Sequence, residues 1–170
     1  MTPPRRLLVL RHGDAASPPR LPDDERPLLA SGTAQVRWAG RLAAARGWQP
    51  EVALVSPALR TQQSLEAFCA GGGHTPQRRI EATLYQGNRD ALAEAVQLLP
   101  DRVGTAVLVG HNPAISGFVL SLGADEVDRF PQLGDGMRPG MLAVLSWSGG
   151  WDDLDSASLV EVAWAGRQPA

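Results

Sequence analysis

Two wholly apolar stretches dominate the hydrophobic pattern of the chain and predict two buried parallel strands. Residues 7–10 (Leu-Leu-Val-Leu) and 106–109 (Ala-Val-Leu-Val) are consecutive aliphatic residues without polar alternation. This pattern is typical of a strand that is covered on both faces, as in a parallel sheet between helices. Further apolar stretches predict strands at residues 51–55, 142–147 and 158–164, and a short strand is expected at residues 78–81. The last two are joined by a connection too short for a crossover helix, so we expect them to pair antiparallel.

Helical patterns separate these strands. They predict helices over residues 31–46, 58–65, 90–99 and 114–122. Ser31 is a good N-cap residue for the first helix, and Gly47 suits the position after its last turn. Apolar residues at helical spacing predict the buried face of that helix, namely Ala34, Trp38, Leu42 and Ala45. The alternation predicts one α/β domain over residues 1–170, a three-layer α/β/α sandwich with a mostly parallel mixed sheet.

Composition argues against several classes of partner. The chain has 170 residues and a net charge of −2, which argues against a nucleic-acid partner. All 16 basic residues are arginine, and a guanidinium group can form a bidentate pair with a phosphate. No apolar stretch reaches the length of a membrane span or of a signal-peptide core, so we expect a cytoplasmic protein without a membrane partner.

The cysteine and histidine content predicts neither a disulfide nor a metal or other cofactor. Cys69 is the only cysteine and lies in an apolar stretch, so we expect it to be a small core residue. The histidines His12, His74 and His111 are far apart in sequence, and neither a CxxC nor an HExxH motif occurs. His74 follows three glycines in a predicted loop, where we expect it to be exposed to solvent.

Polar residues with catalytic chemistry follow both buried strands. Arg11-His12-Gly13 comes directly after the first of them, and Gly110-His111 directly after the second. Open α/β sheets bind ligands at the carboxyl edge of their strands. If the two strands are neighbours, both imidazoles meet at that edge. An imidazole in this place can act as a nucleophile, a base or a metal ligand.

An arginine in an unusual place is a second indication of an anion site. Arg60 lies in the first turn of the helix predicted after the strand at residues 51–55. The positive end of a helix dipole disfavours a cation there, and an anion bound at the same helix end would explain it. The loop over residues 14–27 leaves the edge of the first strand and is expected to line the same pocket.

Four residues together predict a metal-independent phosphoryl-transfer site, and these catalytic candidates are Arg11, His12, Arg60 and His111. A neutral His12 would attack phosphorus and form a phosphohistidine, which water would then hydrolyse. The transition state spreads negative charge over the equatorial oxygens. Donors from Arg11, Arg60 and a protonated His111 would stabilise that charge. Such a pocket is expected to bind phosphate or sulfate.

The same residues resemble the motifs of the histidine phosphatase superfamily, which has the phosphoglycerate-mutase-like fold. The matching motifs are Arg11-His12-Gly13, Ser56-Pro57-x-x-Arg60-x-x-Gln63-Ser64 and Gly110-His111. The short length of the chain and two segments are similar to the SixA-type phosphohistidine phosphatases, the segments being Arg11-His12-Gly13-Asp14-Ala15 and Arg26-Pro27-Leu28-Leu29-x-x-Gly32. The resemblance implies that His12 is the nucleophile, with Arg26 as a neighbour of the site. It implies three phosphate-binding residues, Arg11, Arg60 and His111.

Two departures from the superfamily pattern bear on the substrate. Ala15 stands where larger members carry a hydroxyl residue, and residues 84–87 contain no carboxylate where many members carry a general-acid glutamate. An alkoxide leaving group needs a positioned acid, whereas the imidazole of a phosphohistidine leaves more readily. The pocket therefore favours a phosphohistidine substrate. Asp14 or an acid at residues 23–25 could still serve as the acid, and Asp14 could equally cap the turn.

The leading interpretation is a protein phosphohistidine phosphatase of the SixA type. Its expected partner is a phosphorylated signalling protein, such as the histidine phosphotransfer domain of a phosphorelay. A phosphomonoesterase of the same fold, acting on a small phosphorylated substrate, is the first alternative. A non-catalytic module that binds phosphorylated partners is the second.

Overall fold

Six strands form one mixed sheet in the computed structural model, which describes residues 3–166. In chain order they are β1 (Arg5–Arg11), β2 (Val52–Val55), β3 (Gln77–Ile80), β4 (Thr105–Gly110), β5 (Leu142–Trp147) and β6 (Ser158–Ala163). Their spatial order is β3–β2–β4–β1–β5–β6. The pairs β2–β3, β2–β4 and β1–β4 are parallel, whereas β5 is antiparallel to both β1 and β6. The mostly parallel mixed sheet and its antiparallel final pair are thereby confirmed.

Helices cover both faces of the sheet. They are α1 (Ala30–Ala45), α2 (Leu59–Gly72), α3 (Thr83–Gln86), α4 (Arg89–Gln97) and α5 (Ala114–Leu122), with short 3-10 turns at Asp23–Glu25, Ala124–Arg129 and Pro131–Leu133. Helices α1 and α2 pack on one face, and α4 and α5 pack on the other, which confirms the three-layer sandwich. Within residues 3–166, no helix combines the length and the hydropathy that crossing a membrane requires.

The side chains of β1 divide between the two apolar layers. Leu8 and Leu10 belong to the cluster under α1 and α2, whereas Leu7 and Val9 belong to the cluster under α4 and α5. All four side chains are fully buried. Successive residues of a strand point to opposite faces, so a strand between two helical layers must be apolar at every position. This is the physical reason why the apolar stretch without alternation predicted a central strand.

The start of α1 differs from the prediction. The helix begins at Ala30, and Leu29 precedes it without a side-chain cap. The hydroxyl of Ser31 instead donates to Oδ2 of Asp14 at 3.3 Å. The assignment of Ser31 as the N-cap is wrong, because the loop after β1 brings a carboxylate acceptor to this serine. Gly47 has a φ of 72°, the left-handed conformation expected of the residue after the helix.

The buried face of α1 consists mainly of small residues. Its buried positions are Gly32, Gln35, Val36, Ala39, Gly40 and Ala43. The predicted face is wrong, since none of its members is fully buried and Trp38 is only partly covered. A Cβ atom on Gly40 would collide with the carbonyl oxygen of Phe68, so the backbones of α1 and α2 touch there. Close contact between two helices favours small side chains, so the larger apolar residues did not mark the buried face.

His74 is buried, which contradicts the prediction of an exposed side chain. Only 4% of its surface is exposed. Its Nε2 lies 3.0 Å from the carbonyl oxygen of Gly40, its Nδ1 lies 2.8 Å from Oε1 of Gln49, and its ring stacks on Phe68. The predicted core residue Cys69 is half-buried against the same layer, and burial raises the pKa of its thiol. These contacts give His74 a structural role between α1 and α2.

Candidate active site

The two histidines that follow buried strands lie side by side. In the parallel pair β1–β4, Arg11 is the register partner of Gly110. The next residue of each strand, His12 and His111, therefore emerges at the same edge of the sheet. Their ring centroids are 5.3 Å apart. The expectation that two imidazoles meet at the carboxyl edge of neighbouring strands is confirmed.

His12 presents a free electron pair at Nε2. Its Nδ1 lies 2.8 Å from the carbonyl oxygen of Gly13. Because a carbonyl oxygen can only accept, Nδ1 carries the hydrogen and Nε2 carries the lone pair. Burial, together with the nearby positive charges of Arg60 and Arg11, lowers the pKa of His12 to about 4. The imidazole is therefore neutral at pH 7 and competent as a nucleophile.

The turn after β1 is held tightly against two helices. The backbone N–H of Gly13 donates to Oγ of Ser64 at 3.1 Å, and that hydroxyl donates to the carbonyl oxygen of Arg60 at 2.7 Å. A Cβ atom on Gly13 would collide with the backbone of Gly32 in α1. Glycine is therefore required at this position for the close approach that places His12.

The second imidazole is oriented by a buried serine. Oγ of Ser56, the first residue after β2, lies 2.8 Å from Nε2 of His111 and accepts from the N–H of Ala58. Ser56 is fully buried, and among the described residues Nε2 is the acceptor available to its hydroxyl hydrogen. This bond leaves the imidazole hydrogen on Nδ1, an atom that is buried and unpaired. His111 can thus donate to an anion while it is neutral.

The sequence predicts a protonated His111 only where the negative charge of a bound phosphate acts on it. Burial, with the neighbouring His12 and Arg60, lowers the pKa of His111 to about 3. The desolvation of an imidazolium at this place outweighs the attraction of the half-exposed Asp23 carboxylate. The donor role predicted for this residue is served by the Nδ1 hydrogen.

Replacing Ser56 by alanine tests this orientation. We expect Ser56→Ala to lower kcat/KM about tenfold, the rate equivalent of about 1.4 kcal/mol, because the ring loses its hydroxyl partner. Ser156→Ala, at an exposed serine, is the control. The ¹⁵N shifts of the His111 ring report the tautomer directly. Wild-type kinetics together with unchanged ring shifts in Ser56→Ala would show that this serine does not orient the imidazole.

Arg11 is held by a segment far along the chain. Its Nη1 donates to the carbonyl oxygen of Met137 at 2.8 Å, and Nδ2 of Asn112 donates to the same oxygen at 2.9 Å. Oγ of Ser116 accepts from the N–H of Met137 at 2.8 Å and thereby anchors this segment to α5. The Nε atom of Arg11 is buried and unpaired. One edge of the guanidinium is therefore used for positioning, and Nε is left for a ligand.

The guanidinium group of Arg60, like that of Arg11, has a hydrogen-bonded terminal nitrogen and an unpaired Nε. The residue is 6% exposed and lies in the first turn of α2, as predicted. Its Nη1 donates to the carbonyl oxygen of Asp23, and its Nη2 donates to Oδ2 of the same residue at 3.0 Å. Nε is buried and unpaired. An internal carboxylate thus already faces the arginine at this helix end, so the position of Arg60 by itself no longer implies a bound phosphate.

Asp23 collects donors from three parts of the chain. Besides Arg60, Nη1 of Arg26 donates to its Oδ1 at 3.0 Å, and the hydroxyl of Tyr85 donates to its Oδ2 at 2.7 Å. The Tyr85 ring lies edge-on to His111 with the centroids 5.7 Å apart. The Tyr85 hydrogen bond, followed by that of Arg26, holds the pKa of Asp23 well below its usual range. An ionised Asp23 has no proton to give, which argues against it as a general acid.

The other candidate acid, Asp14, also has structural contacts. Its Oδ2 accepts from the Ser31 hydroxyl at 3.3 Å and from Nε2 of Gln35 at 3.2 Å. Its backbone N–H donates to Oε1 of Gln35 at 3.0 Å, and its carbonyl oxygen accepts from the N–H of Leu29. These bonds join the turn after β1 to the start of α1. They support the turn-capping role of Asp14 over an acid role.

Three unpaired donors distinguish this place from the rest of the sheet edge. In the part of the chain that the structure describes, five buried side-chain atoms have no hydrogen-bond partner. Two of them, Nε of Arg5 and of Arg6, lie at the opposite end of β1, and the others are Nε of Arg11, Nε of Arg60 and Nδ1 of His111. An anion bound beside His12 would satisfy these three donors. Residues 3–166 contain no group of three or more His, Cys, Asp or Glu that could hold a metal ion.

Several members of this site were not assigned a role from the sequence. They are Ser56, Tyr85 and the carbonyl of Met137, each of which contacts a predicted residue from a distant position, whereas Asp23 was expected only as a candidate acid. Ser56 already stood in a recognised motif, and its place directly after a strand was a signal for a site role. Tyr85 lies in residues 84–87, a segment whose lack of a carboxylate gave no indication of a tyrosine role.

Comparison with solved structures places the same fold in phosphatases. A candidate phosphohistidine phosphatase SixA from Nakamurella multipartitia is 32% identical, with a TM-score of 0.79 over 95% of this chain and 96% of that chain. A second candidate SixA, from Agrobacterium tumefaciens, is 24% identical, with a TM-score of 0.81 over 95% and 99% of the two chains. No protein-family model matches the chain.

A more distant structure shows how wide the fold family is. A phosphoglycerate mutase from Plasmodium falciparum is 14% identical, with a TM-score of 0.63 over 94% of this chain and 91% of that chain. At this identity the likeness shows the fold alone. The expected phosphoglycerate-mutase-like architecture is thereby confirmed.

Proposed function

The chain belongs to the histidine phosphatase superfamily, among its SixA-type members, and from this premise we propose that it hydrolyses phosphohistidine in proteins without a metal ion. One observation carries the proposal. The neutral ring of His12 lies 5.3 Å from the His111 ring, measured between centroids, and within reach of the charges of Arg11 and Arg60. Nε of both arginines and Nδ1 of His111 are buried and unpaired. This is the arrangement that a nucleophilic phosphoryl transfer requires.

In the first step, Nε2 of His12 attacks the phosphorus of the substrate phosphohistidine. A P–N bond to His12 forms while the P–N bond to the substrate imidazole breaks, and the departing nitrogen takes a proton from water. The hydroxide left behind is neutralised by the proton that is released when water attacks in the second step. The bond from Nδ1 of His12 to the Gly13 carbonyl keeps the ring in the attacking orientation. Because the pKa of His12 is about 4, the nucleophile needs no deprotonation at pH 7.

The three unpaired donors stabilise the charge that develops on the transferring group. Each can direct one N–H toward the equatorial oxygens. Preorganised donors in a water-poor site need little rearrangement during the reaction, which makes them effective. In the second step water attacks the phosphorylated His12, and the products are inorganic phosphate and the neutral imidazole.

The choice of a phosphohistidine substrate depends on the leaving group. Asp23 is ionised, and the carboxylate of Asp14 is occupied by Ser31 and Gln35, so neither is placed as a proton donor. Without a positioned acid, an alkoxide leaves slowly, whereas an imidazole leaves readily. A phosphorylated signalling protein of the cytoplasm, such as a histidine phosphotransfer domain, is the partner we propose.

Two substrates measured side by side test this proposal. We expect turnover of a phosphohistidine peptide at least about tenfold faster than that of an alkyl phosphate such as glycerol 3-phosphate, because the alkoxide of this ester is a basic leaving group that lacks acid assistance. Both assays contain EDTA, and we expect no loss of activity from the chelator. Equal or faster turnover of the ester would contradict the phosphohistidine assignment and indicate a small-molecule phosphatase. Loss of activity in EDTA would contradict metal independence.

A further inference from the structure

The carboxylate of Asp23 joins three segments on the solvent side of the site. It belongs to the 3-10 turn Asp23–Glu25 in the loop after β1. Its three donors are Arg60 of α2, Tyr85 of α3 and Arg26 at the end of the same loop. The Asp23 side chain is 52% exposed, whereas the Arg60 side chain is 7% exposed. An exposed carboxylate thus covers a buried guanidinium.

The contacts of Asp23 divide the five N–H groups of Arg60 into two sets. Nη1 donates to the Asp23 carbonyl oxygen and Nη2 to the Asp23 carboxylate, so both terminal nitrogens are engaged by one residue. Nε remains buried and unpaired. A planar guanidinium held at both terminal nitrogens cannot rotate about its long axis without breaking both bonds. The direction of the Nε–H is therefore set by Asp23.

Asp23 also restrains Tyr85. The tyrosine hydroxyl donates to the same Oδ2 that Arg60 uses, and the tyrosine ring lies edge-on to His111. Removing the carboxylate would release both contacts in one change. The backbone carbonyl of Asp23 would still accept from Nη1, so Arg60 would lose part of its restraint and keep its place in the fold.

We propose that Asp23 is a positioning residue of this phosphatase, which orients Nε of Arg60 toward the phosphoryl group. The inference deepens the proposed function and depends on Arg60 as a phosphate-binding residue. It excludes a competing role, in which the Asp23 carboxylate would occupy Arg60 in place of phosphate. If Asp23 positions Arg60, removal of the carboxylate lowers kcat. If Asp23 instead competes with phosphate for Arg60, removal of the carboxylate raises kcat or lowers KM.

The test compares Asp23→Asn with Asp24→Asn. Both changes remove one negative charge from the same turn, and Asp24 is the exposed neighbour. We expect Asp23→Asn to lower kcat about tenfold on p-nitrophenyl phosphate and on a phosphohistidine peptide, with KM changed by less than about threefold. Asp24→Asn is expected to keep wild-type kinetics. Asp23→Asn is expected to lower the unfolding temperature by a few degrees, because the buried Arg60 loses its ion pair, whereas Asp24→Asn should leave it unchanged.

A double variant shows whether the effect passes through Arg60. In an Arg60→Lys background, where the guanidinium is gone, Asp23→Asn should change kcat by less than about twofold. A full tenfold loss in that background, or a kcat of Asp23→Asn at or above wild type, would overturn the inference. The test also uses p-nitrophenyl phosphate. It therefore still gives a result if the protein proves not to hydrolyse phosphohistidine.

Discussion

We expect His12→Ala to abolish turnover of both the phosphohistidine peptide and p-nitrophenyl phosphate. The substitution removes the neutral Nε2 that attacks phosphorus, and no other imidazole in the described residues has the same free position, since Nε2 of His111 is bonded to Ser56. Loss of a nucleophile that forms the covalent intermediate lowers kcat by about 10⁴-fold or more. Assays of the variant at high enzyme concentration set the lower limit of activity that can be detected.

The covalent intermediate provides the second measurement for this variant. Wild-type protein quenched during turnover should carry an acid-labile, alkali-stable phosphate on His12, and His12→Ala should carry none. The Gly13 carbonyl loses one hydrogen bond in the variant, which costs about 1 kcal/mol and leaves the fold intact. An unfolding temperature within a few degrees of wild type is the control. A phosphorylated His12→Ala, or activity within tenfold of wild type, would refute His12 as the nucleophile.

We expect Arg60→Lys to lose most of the activity although it keeps the positive charge. The arginine engages Asp23 with both terminal nitrogens and still has Nε for the phosphoryl group. An ammonium group has a single nitrogen at the end of a flexible stem, so it cannot serve the two sides at once. Removal of one preorganised donor of this kind typically lowers kcat by about 10²–10³-fold.

The comparison for Arg60→Lys is Arg41→Lys on the exposed side of α1. We expect Arg41→Lys to match wild type in kcat, KM and unfolding temperature. If Arg60→Lys also matched wild type on both substrates, the bidentate geometry of Arg60 would be irrelevant and the proposed site would lose this member. A fall in kcat with little change in KM would place the Arg60 contact in the transition state.

The burial pattern made most of the architecture predictable from sequence. Strands β1 and β4 were identified because a strand between two helical layers must be apolar at every position, a property visible in consecutive residues. His12 and His111 follow those strands directly, so the site edge could be located as well. The first turn of α2 similarly gave the place of Arg60.

Contacts between distant residues were not predictable in the same way. The face of α1 was misidentified because backbone contact with α2 favours Gly40 over larger apolar residues. His74 was expected in solvent because its loop is glycine-rich, yet it packs on Phe68 and the Gly40 carbonyl. Neither contact can be predicted from the spacing of hydrophobic residues along the sequence.

The sequence by itself determined which side chains reach the active edge, since hydrophobic runs decide where strands are buried and where they end. Tertiary structure alone decided how those side chains are used. Ser56 reaches His111 and Asp23 reaches Arg60 only after the strands and the loop have assembled. A buried polar group must find a partner, and which partner lies within reach depends on packing over the whole chain. The tautomer of His111 and the orientation of the Arg60 guanidinium group are therefore properties of the fold.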